Sequence, residues 1–400
     1  MNKIRGIYGD LPRVSKLYLA RQFFSAMYFS WPIWYGFASQ RLSASQVGIY
    51  FGVLYATQLI AEVPTGAFAD KFGRRKSALV GAFMMPIMPL VLYFGHSFTS
   101  YLLAAMLYGL SLAFLSGSLD ALLYDDRKVS PTIFRKISIY EVTAFQSGLI
   151  VSAALGGFLF TFNTLLPFLF ESLAAVASLL LILAMKETKI VDEITPIQSG
   201  RYLSYIRDGF KYLFSSKELC FFVGAYLLYA VAITASLEFV NEAAMIKYGI
   251  VPEWRGILIS GTKVLNLLLL NLLIYKLVKS DRAKLLFYSV LSLVVFGFFS
   301  ISSFAIFLPA YLMFNWLSAS RFAFFHPILH ERIPASHRAT TMSSLSALVG
   351  VSSLVLYPAA GYLIEKKSNA LAAYGMFLIM ALAAALLLKL SKIDQPQRLS

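Results

Sequence analysis

The chain has 400 residues, of which 58% are hydrophobic and 14% charged, with a mean hydropathy of +0.70. A soluble chain carries roughly a quarter charged residues, so a soluble enzyme, a disordered scaffold and a disulfide-stapled secreted domain are excluded. Its single cysteine, Cys220, cannot form an internal disulfide, and its net charge of +15 is accounted for below by membrane orientation, with no nucleic-acid partner required.

Apolar runs bounded by charge or by Pro and Gly have the length that crosses a bilayer as a helix, about 20 residues. In the first half they fall at 17–37, 47–68, 78–94, 101–123, 137–162 and 165–185. In the second half they fall at 219–245, 257–277, 285–301, 304–329, 342–364 and 371–388. Twelve spans in two sets of six predict an all-α membrane protein: a six-helix bundle over 1–185, a cytoplasmic linker over 186–217 and a second six-helix bundle over 218–400. In the linker Tyr202, Tyr205, Ile206, Phe210, Leu213 and Phe214 recur at helical spacing, with Arg207, Asp208 and Lys211 elsewhere. An amphipathic helix on the inner leaflet is expected there, and a plain solvated linker is the alternative. Of the 35 Lys and Arg, 28 fall on the side of the termini, 5 on the opposite side and 2 (Lys263 and Arg321) within spans. Basic residues collect in cytoplasmic loops, so both termini are expected in the cytoplasm. The first apolar run is too long for a signal-peptide core and is expected to remain as span 1.

The loop after span 2 reads Gly66-Ala67-Phe68-Ala69-Asp70-Lys71-Phe72-Gly73-Arg74-Arg75-Lys76. Gly66 allows close helix approach, Gly73 permits a turn that a side chain would obstruct, and Asp70 can accept bonds from the open amides at the start of a neighbouring helix. Together with the twelve-span topology, this loop resembles the signature of the major facilitator superfamily, over nearly the whole chain. Glu62-Val63-Pro64-Thr65-Gly66 and Ser116-Gly117-Ser118-Leu119-Asp120-Ala121-Leu122-Leu123-Tyr124-Asp125 resemble a bacterial branch of uncharacterised efflux members. The resemblance implies two six-helix bundles, each of inverted repeats, rocking about a central site in a bacterial inner membrane. It sets Asp70 against the start of span 11, Arg338-Ala339-Thr340-Thr341, and Arg74 against Asp125 and Asp126. Gly66, Asp70, Gly73, Arg74, Asp125 and Asp126 then form a conformational latch; charges that only enforce topology are the plainer reading. Span 4 lacks the arginine that drug antiporters of the superfamily often carry. Span 5 keeps Gly148, Gly156 and Gly157 but has Ser152 and Ala153 at the Gly-Pro positions, which weakens assignment to those antiporters.

A charge at the bilayer centre costs about 2.5 kcal/mol or more, so carboxylates within spans are candidates for proton coupling. Asp120 ends a stripe of Gly109, Ala113 and Ser116 in span 4; Glu62 lies near the latch; Glu238 and Glu242 share a face of span 7 with Asn241. The alternatives are a structural hydrogen bond for Asp120, latch membership for Glu62 and a solvated gate for the pair. Glu141 in span 5 and Glu171 in span 6 read as wet or paired at an interface. Substrate-cavity candidates are Arg321, Lys263, Gln22, Asn266 and Asn315: the two cations suit an anionic or zwitterionic group, or balance acids of the opposite half. His326 and His330 fit a structural or gating role. Gln22, Ser25, Phe29 and Pro32 share a stripe of span 1 near Tyr28, Trp31, Trp34 and Tyr35, aromatic walls that suit apolar or planar ligands. No spacing suggests a metal site, no nucleotide-binding motif is present, and no cofactor or catalytic residue is expected. The reading is a monomeric secondary transporter, not an enzyme, whose partners are a small-molecule substrate, protons and the lipid bilayer. Proton-coupled export of a drug or metabolite leads. The alternative is uptake or facilitated diffusion of a specific anionic or zwitterionic metabolite, siderophore or vitamin-like compound; a non-transporting receptor or lipid-handling protein is a third class.

Overall fold

The computed structural model describes residues 11–116, 118–124, 131–186, 210–277, 280–333, 338–367 and 370–391. Among the described residues the chain is almost wholly helical, with no strand, as lipid demands of a backbone that must satisfy its own polar groups. The first half holds α1 (Arg13–Ser25), α2 (Trp34–Ala38), α3 (Ala44–Phe72), α4 (Arg74–Met84), α5 (Ile87–Phe94), α6 (Phe98–Leu115), α7 (Ser118–Tyr124), α8 (Pro131–Phe162) and α9 (Leu166–Ala184). The second holds α10 (Lys217–Ala235), α11 (Asn241–Lys247), α12 (Pro252–Leu277), α13 (Asp281–Phe299), α14 (Phe304–Arg332), α15 (Arg338–Lys367) and α16 (Leu371–Leu390). Eight segments among the described residues are long and apolar enough to cross a membrane, and the chain is a multi-pass membrane protein.

Several predicted spans are interrupted. Span 1 stops at Ser25 and resumes only through a 3₁₀ turn, Trp31–Ile33, into α2. Pro32 in that turn has no amide to donate and its ring obstructs the helix before it. Pro86 parts α4 from α5 in span 3 in the same way, and span 4 divides into α6 and α7. Span 7 carries a π turn, Ser236–Val240, between α10 and α11; such turns frequently mark functional positions. Between α3 and α4, Gly73 has φ 101° and ψ 146°, a conformation open only to glycine without strain.

The chain forms two compact units whose boundaries cross the sequence halves: Met1–Trp34, Val53–Gln198 and Val251–Ser260 make the first, Tyr35–Gly52, Ser199–Ile250 and Gly261–Ser400 the second. In the first, α1 packs against α8 and α9, and Tyr18, Leu19, Ala78, Ala82, Leu122 and Ile182 meet in its core. A Cβ on Gly156 would run into the carbonyl of Phe29, and one on Gly148 into that of Phe23, so these glycines let α8 approach the backbone of span 1. In the second, α10 and α13 both pack on α16; Phe299 of α13 stacks on Tyr374 of α16 at 4.5 Å, and Tyr229 of α10 meets Tyr288 of α13 at 5.2 Å. Large apolar side chains remain exposed on both units, among them Phe158, Leu173, Leu180, Val290, Ile379 and Leu386. Lipid solvates such faces, so their exposure is no defect.

Candidate functional site

Breaking span 1 leaves amides with no helical carbonyl to receive them, and a buried amide must be satisfied. Two buried carboxylates take that place. Within the first unit, Glu171 Oε2 on α9 accepts from Ser30 N–H at 2.9 Å and from Ser30 Oγ–H at 2.7 Å. Within the second, Glu242 on α11 accepts from the amides of Tyr35 at 2.7 Å and Gly36 at 3.0 Å, at the start of α2. The two glutamates are 6% and 8% exposed.

The first unit holds a partly open cavity of about 400 Å³. A hydrogen-bonded run forms its polar side: Arg21 Nη1 donates to Gln22 Oε1 at 3.1 Å, and Gln22 Nε2 donates to Glu141 Oε1 at 2.5 Å and to Tyr18 Oη at 2.9 Å. Tyr18 Oη–H donates to the same Glu141 oxygen at 2.8 Å. With both ends of its amide engaged, Gln22 is held in one orientation between a cation and an anion. Glu171 lines the cavity too, and Phe24, Met27, Met85, Met88 and Phe145 supply apolar wall. Thioethers adapt to irregular shapes, and a volume in the range of small-molecule pockets, about 300–1,000 Å³, admits an organic guest. Among the described residues, Gln22 of the predicted substrate-cavity candidates lies on this cavity, together with Ser25 and Tyr28 from the stripe and aromatic wall read on span 1. Glu141 and Glu171, read from sequence as wet or paired at an interface, join it there. The signal that points to Glu171 is Pro32: a proline inside an apolar span frees amides, and only a buried acceptor can receive them.

The other predicted residues are dispersed. Glu62 is half-buried on α3. Asp70 and Asp120 fall within α3 and α7, but their side chains lie outside the described residues, as do Asp125, Asp126 and the linker's Tyr202, Tyr205, Ile206, Arg207 and Asp208. Of the remaining latch positions, Gly66 has open space where a side chain would stand and Arg74 is half-buried in the first turn of α4. In the second unit Arg321 is 8% exposed; its Nη1 donates to the Ala230 carbonyl at 3.1 Å and its guanidinium stands 4.5 Å from the Phe322 ring centre. Its Nε has no hydrogen-bond partner. Asn266 Nδ2 donates to the Asn315 carbonyl at 3.0 Å and Asn315 Nδ2 to that of Tyr311 at 2.9 Å, tying α12 to α14. Lys263 and Glu238 are half-buried. Asn241 Oδ1 accepts from Tyr374 Oη–H at 2.7 Å, so Asn241 and Glu242 serve different partners. His326 packs edge-on to Phe322 at 4.9 Å.

Comparison with known proteins gives a consistent picture. The sequence profile of the Major Facilitator Superfamily matches residues 18–314. The chain is 24% identical over 241 residues to multidrug resistance protein 2 of Bacillus subtilis (strain 168), covering 59% of each. It is 25% identical over 229 residues to multidrug resistance protein 1 of the same organism, covering 56% of each. A quinolone resistance protein of Staphylococcus aureus is 25% identical over 146 residues, 35% of this chain and 37% of that one. The match thus spans less than two thirds of these relatives' length. Among solved structures, a nucleoside transporter aligns with a TM-score of 0.75 at 14% identity, covering 94% of this chain and 97% of that one. A D-xylose-proton symporter aligns with a TM-score of 0.69 at 14% identity, covering 96% and 97%. At such identities the likeness establishes the fold alone.

Proposed function

The chain belongs to the major facilitator superfamily, and from that premise we propose that this membrane transporter exports a small organic molecule by alternating access, driven by proton entry. One observation carries the reading: a cavity in the first unit whose lining includes Glu141 and Glu171 beside an apolar, methionine-rich wall. Carboxylates within spans can carry protons, and the membrane potential supplies about 2.3 kcal/mol per charge per 100 mV. The similarity to multidrug resistance proteins supports the outward direction. The protein acts as a monomer with twelve spans in a bacterial inner membrane, both termini cytoplasmic. Asp120, Glu62, Glu238 and Glu242 remain proton-coupling candidates beside the two cavity glutamates, and the loop from Gly66 to Arg74 with Asp125 and Asp126 acts as the conformational latch.

The test is collapse of an imposed pH gradient in everted membrane vesicles by a broad panel of hydrophobic compounds, with Asp120→Asn and each glutamate-to-glutamine variant beside the wild type. Collapse by several compounds, lost in at least one variant, is the expected result. Silence across the panel sinks the export reading. A second reading, uptake of an anionic or zwitterionic metabolite, is favoured by Arg321, a buried cation with no carboxylate partner among the described residues. Arg321→Gln separates the two: an exporter of neutral or cationic compounds tolerates it, whereas an anion carrier loses binding.

A further inference from the structure

No step of the transport cycle proposed above engages the two histidines at the C-terminal end of α14. His326 and His330 stand at i and i+4, one above the other on a single helix face. Their ring centres are 6.1 Å apart, with the ring planes at 82°. Imidazole is the commonest protein ligand of transition metals, and this helical spacing lets two of them hold one ion. Metal–nitrogen bonds of about 2.0–2.1 Å on a tetrahedral ion place the two ring centres about 5 Å apart, so small side-chain rotations bring the pair into register. Both side chains are half-buried, packed yet open to an ion. On its packed side His326 meets Phe322 at 4.9 Å and Tyr226 at 6.1 Å between ring centres. The cations near the pair are engaged elsewhere: Arg321, within electrostatic reach of His326, donates to the Ala230 carbonyl and lies over the Phe322 ring, and Arg332 donates to the Ile328 carbonyl at 3.0 Å. Their repulsion of a metal ion is opposed by the negative end of the helix dipole, which falls in the turn that carries His330. Among the described residues no third His, Cys, Asp or Glu joins the pair, so water completes the coordination shell.

Between the two histidines stands Pro327, inside the helix. Its nitrogen has no hydrogen for the carbonyl of Ala323, so α14 lacks a backbone bond at this turn. Spacing alone gives the histidines a structural or gating role; the ring geometry and the proline between them give that role a ligand. We infer that His326 and His330 form a site for a divalent transition metal of the nickel, copper and zinc class, and that the bound ion staples α14 across Pro327. Magnesium and calcium, which require oxygen ligands, are excluded from such a site. The inference goes beyond the exporter reading and holds whatever the substrate or direction of transport.

The test is calorimetric titration of the purified full-length protein, freed of any affinity tag and held in detergent, with Ni²⁺ and with Mg²⁺. The wild type should bind Ni²⁺ and not Mg²⁺. His326→Ala and His330→Ala should each weaken Ni²⁺ binding at least about ten-fold, or about 1.4 kcal/mol, while His96→Ala on the opposite side of the sequence pattern leaves it unchanged. Where an alanine variant fails to fold, glutamine at the same position removes the imidazole and keeps most of the side-chain volume. The staple is read by hydrogen exchange: Ni²⁺ should slow the backbone amides from Phe324 to Arg332 by about ten-fold in the wild type and in neither histidine variant. On the wild type alone, Cu²⁺ should show two imidazole nitrogens by electron paramagnetic resonance. No Ni²⁺ binding, binding that survives both histidine variants or falls equally in His96→Ala, or a Cu²⁺ signal with fewer than two nitrogens overturns the site. Ni²⁺ binding that leaves the exchange of α14 unchanged overturns the staple.

Discussion

Gly156→Ala probes the packing that positions the break in span 1. A Cβ at residue 156 would run into the Phe29 carbonyl oxygen and stand 3.0 Å from its carbon and 3.1 Å from Pro32 Cγ. The carbon contact lies roughly 0.5 Å inside the optimal separation of about 3.5 Å, and the obstacle is backbone, which cannot rotate away as a side chain can. Overpacking of this kind costs about 1–3 kcal/mol. In a unit of this size each kcal/mol moves the midpoint by about 2–4 °C, so the variant should unfold several degrees lower in detergent. Gly297→Ala on α13 is the matched control. Nothing lies within 4 Å of its added methyl, and removing a helical glycine should stabilise by about 0.4–1 kcal/mol. The assay is the thermal midpoint of both variants and the wild type in one detergent at one scan rate. Equal or higher midpoints for both alanine variants would show that α8 does not meet the Phe29 backbone as described, and the account of the break would fall with it.

Glu242→Ala should destabilise by about 3–6 kcal/mol, because it orphans the amides of Tyr35 and Gly36 and each bond to a charged acceptor contributes about 1.5–3 kcal/mol; Glu242→Gln, with one acceptor oxygen left, should fall between Ala and wild type in the same thermal assay. Tyr374→Phe leaves Asn241 Oδ1 buried without its donor and should cost about 1–3 kcal/mol, whereas Asn241→Leu combined with Tyr374→Phe should recover part of that loss. Arg321→Met removes a buried charge that has one carbonyl bond and two ring contacts, to Tyr226 and Phe322; desolvation outweighs so few contacts, so its midpoint should match or exceed that of the wild type.

How much of this was legible in the sequence depended on what kind of residue carried the information. Hydropathy revealed the spans because a bilayer imposes length and composition directly, and the motif from Gly66 to Lys76 indicated the family, which the match over residues 18–314 establishes. The interruptions were harder. Pro32 and Pro86 were visible, but whether a proline bends a span or divides it depends on acceptors supplied by distant segments. Glu171 lies 141 positions from Ser30 and Glu242 lies 207 from Tyr35. Reading charges by their depth in a span also favoured Lys263 and Asp120 over Glu141 and Glu171. A carboxylate beside a broken helix is matched to freed donors, which depth alone does not reveal.

That matching explains why the acceptors are glutamates, and why there are two. The chain passes from the first unit to the second between Trp34 and Tyr35, directly after Pro32. The donor before that point, Ser30, is met by Glu171 of the first unit, and the donors after it, Tyr35 and Gly36, are met by Glu242 of the second. Each unit therefore satisfies its own share of the interrupted backbone. A carboxylate suits this task better than an amide side chain, because it presents two acceptor oxygens and no donor to collide with an N–H. Glu242 spends both oxygens in this way, whereas Glu171 receives both bonds from Ser30 on one oxygen and also lines the cavity. The asymmetry marks Glu242 as a clamp on two successive amides of the resumed helix and Glu171 as a clamp on the single residue Ser30 that also forms part of the cavity wall.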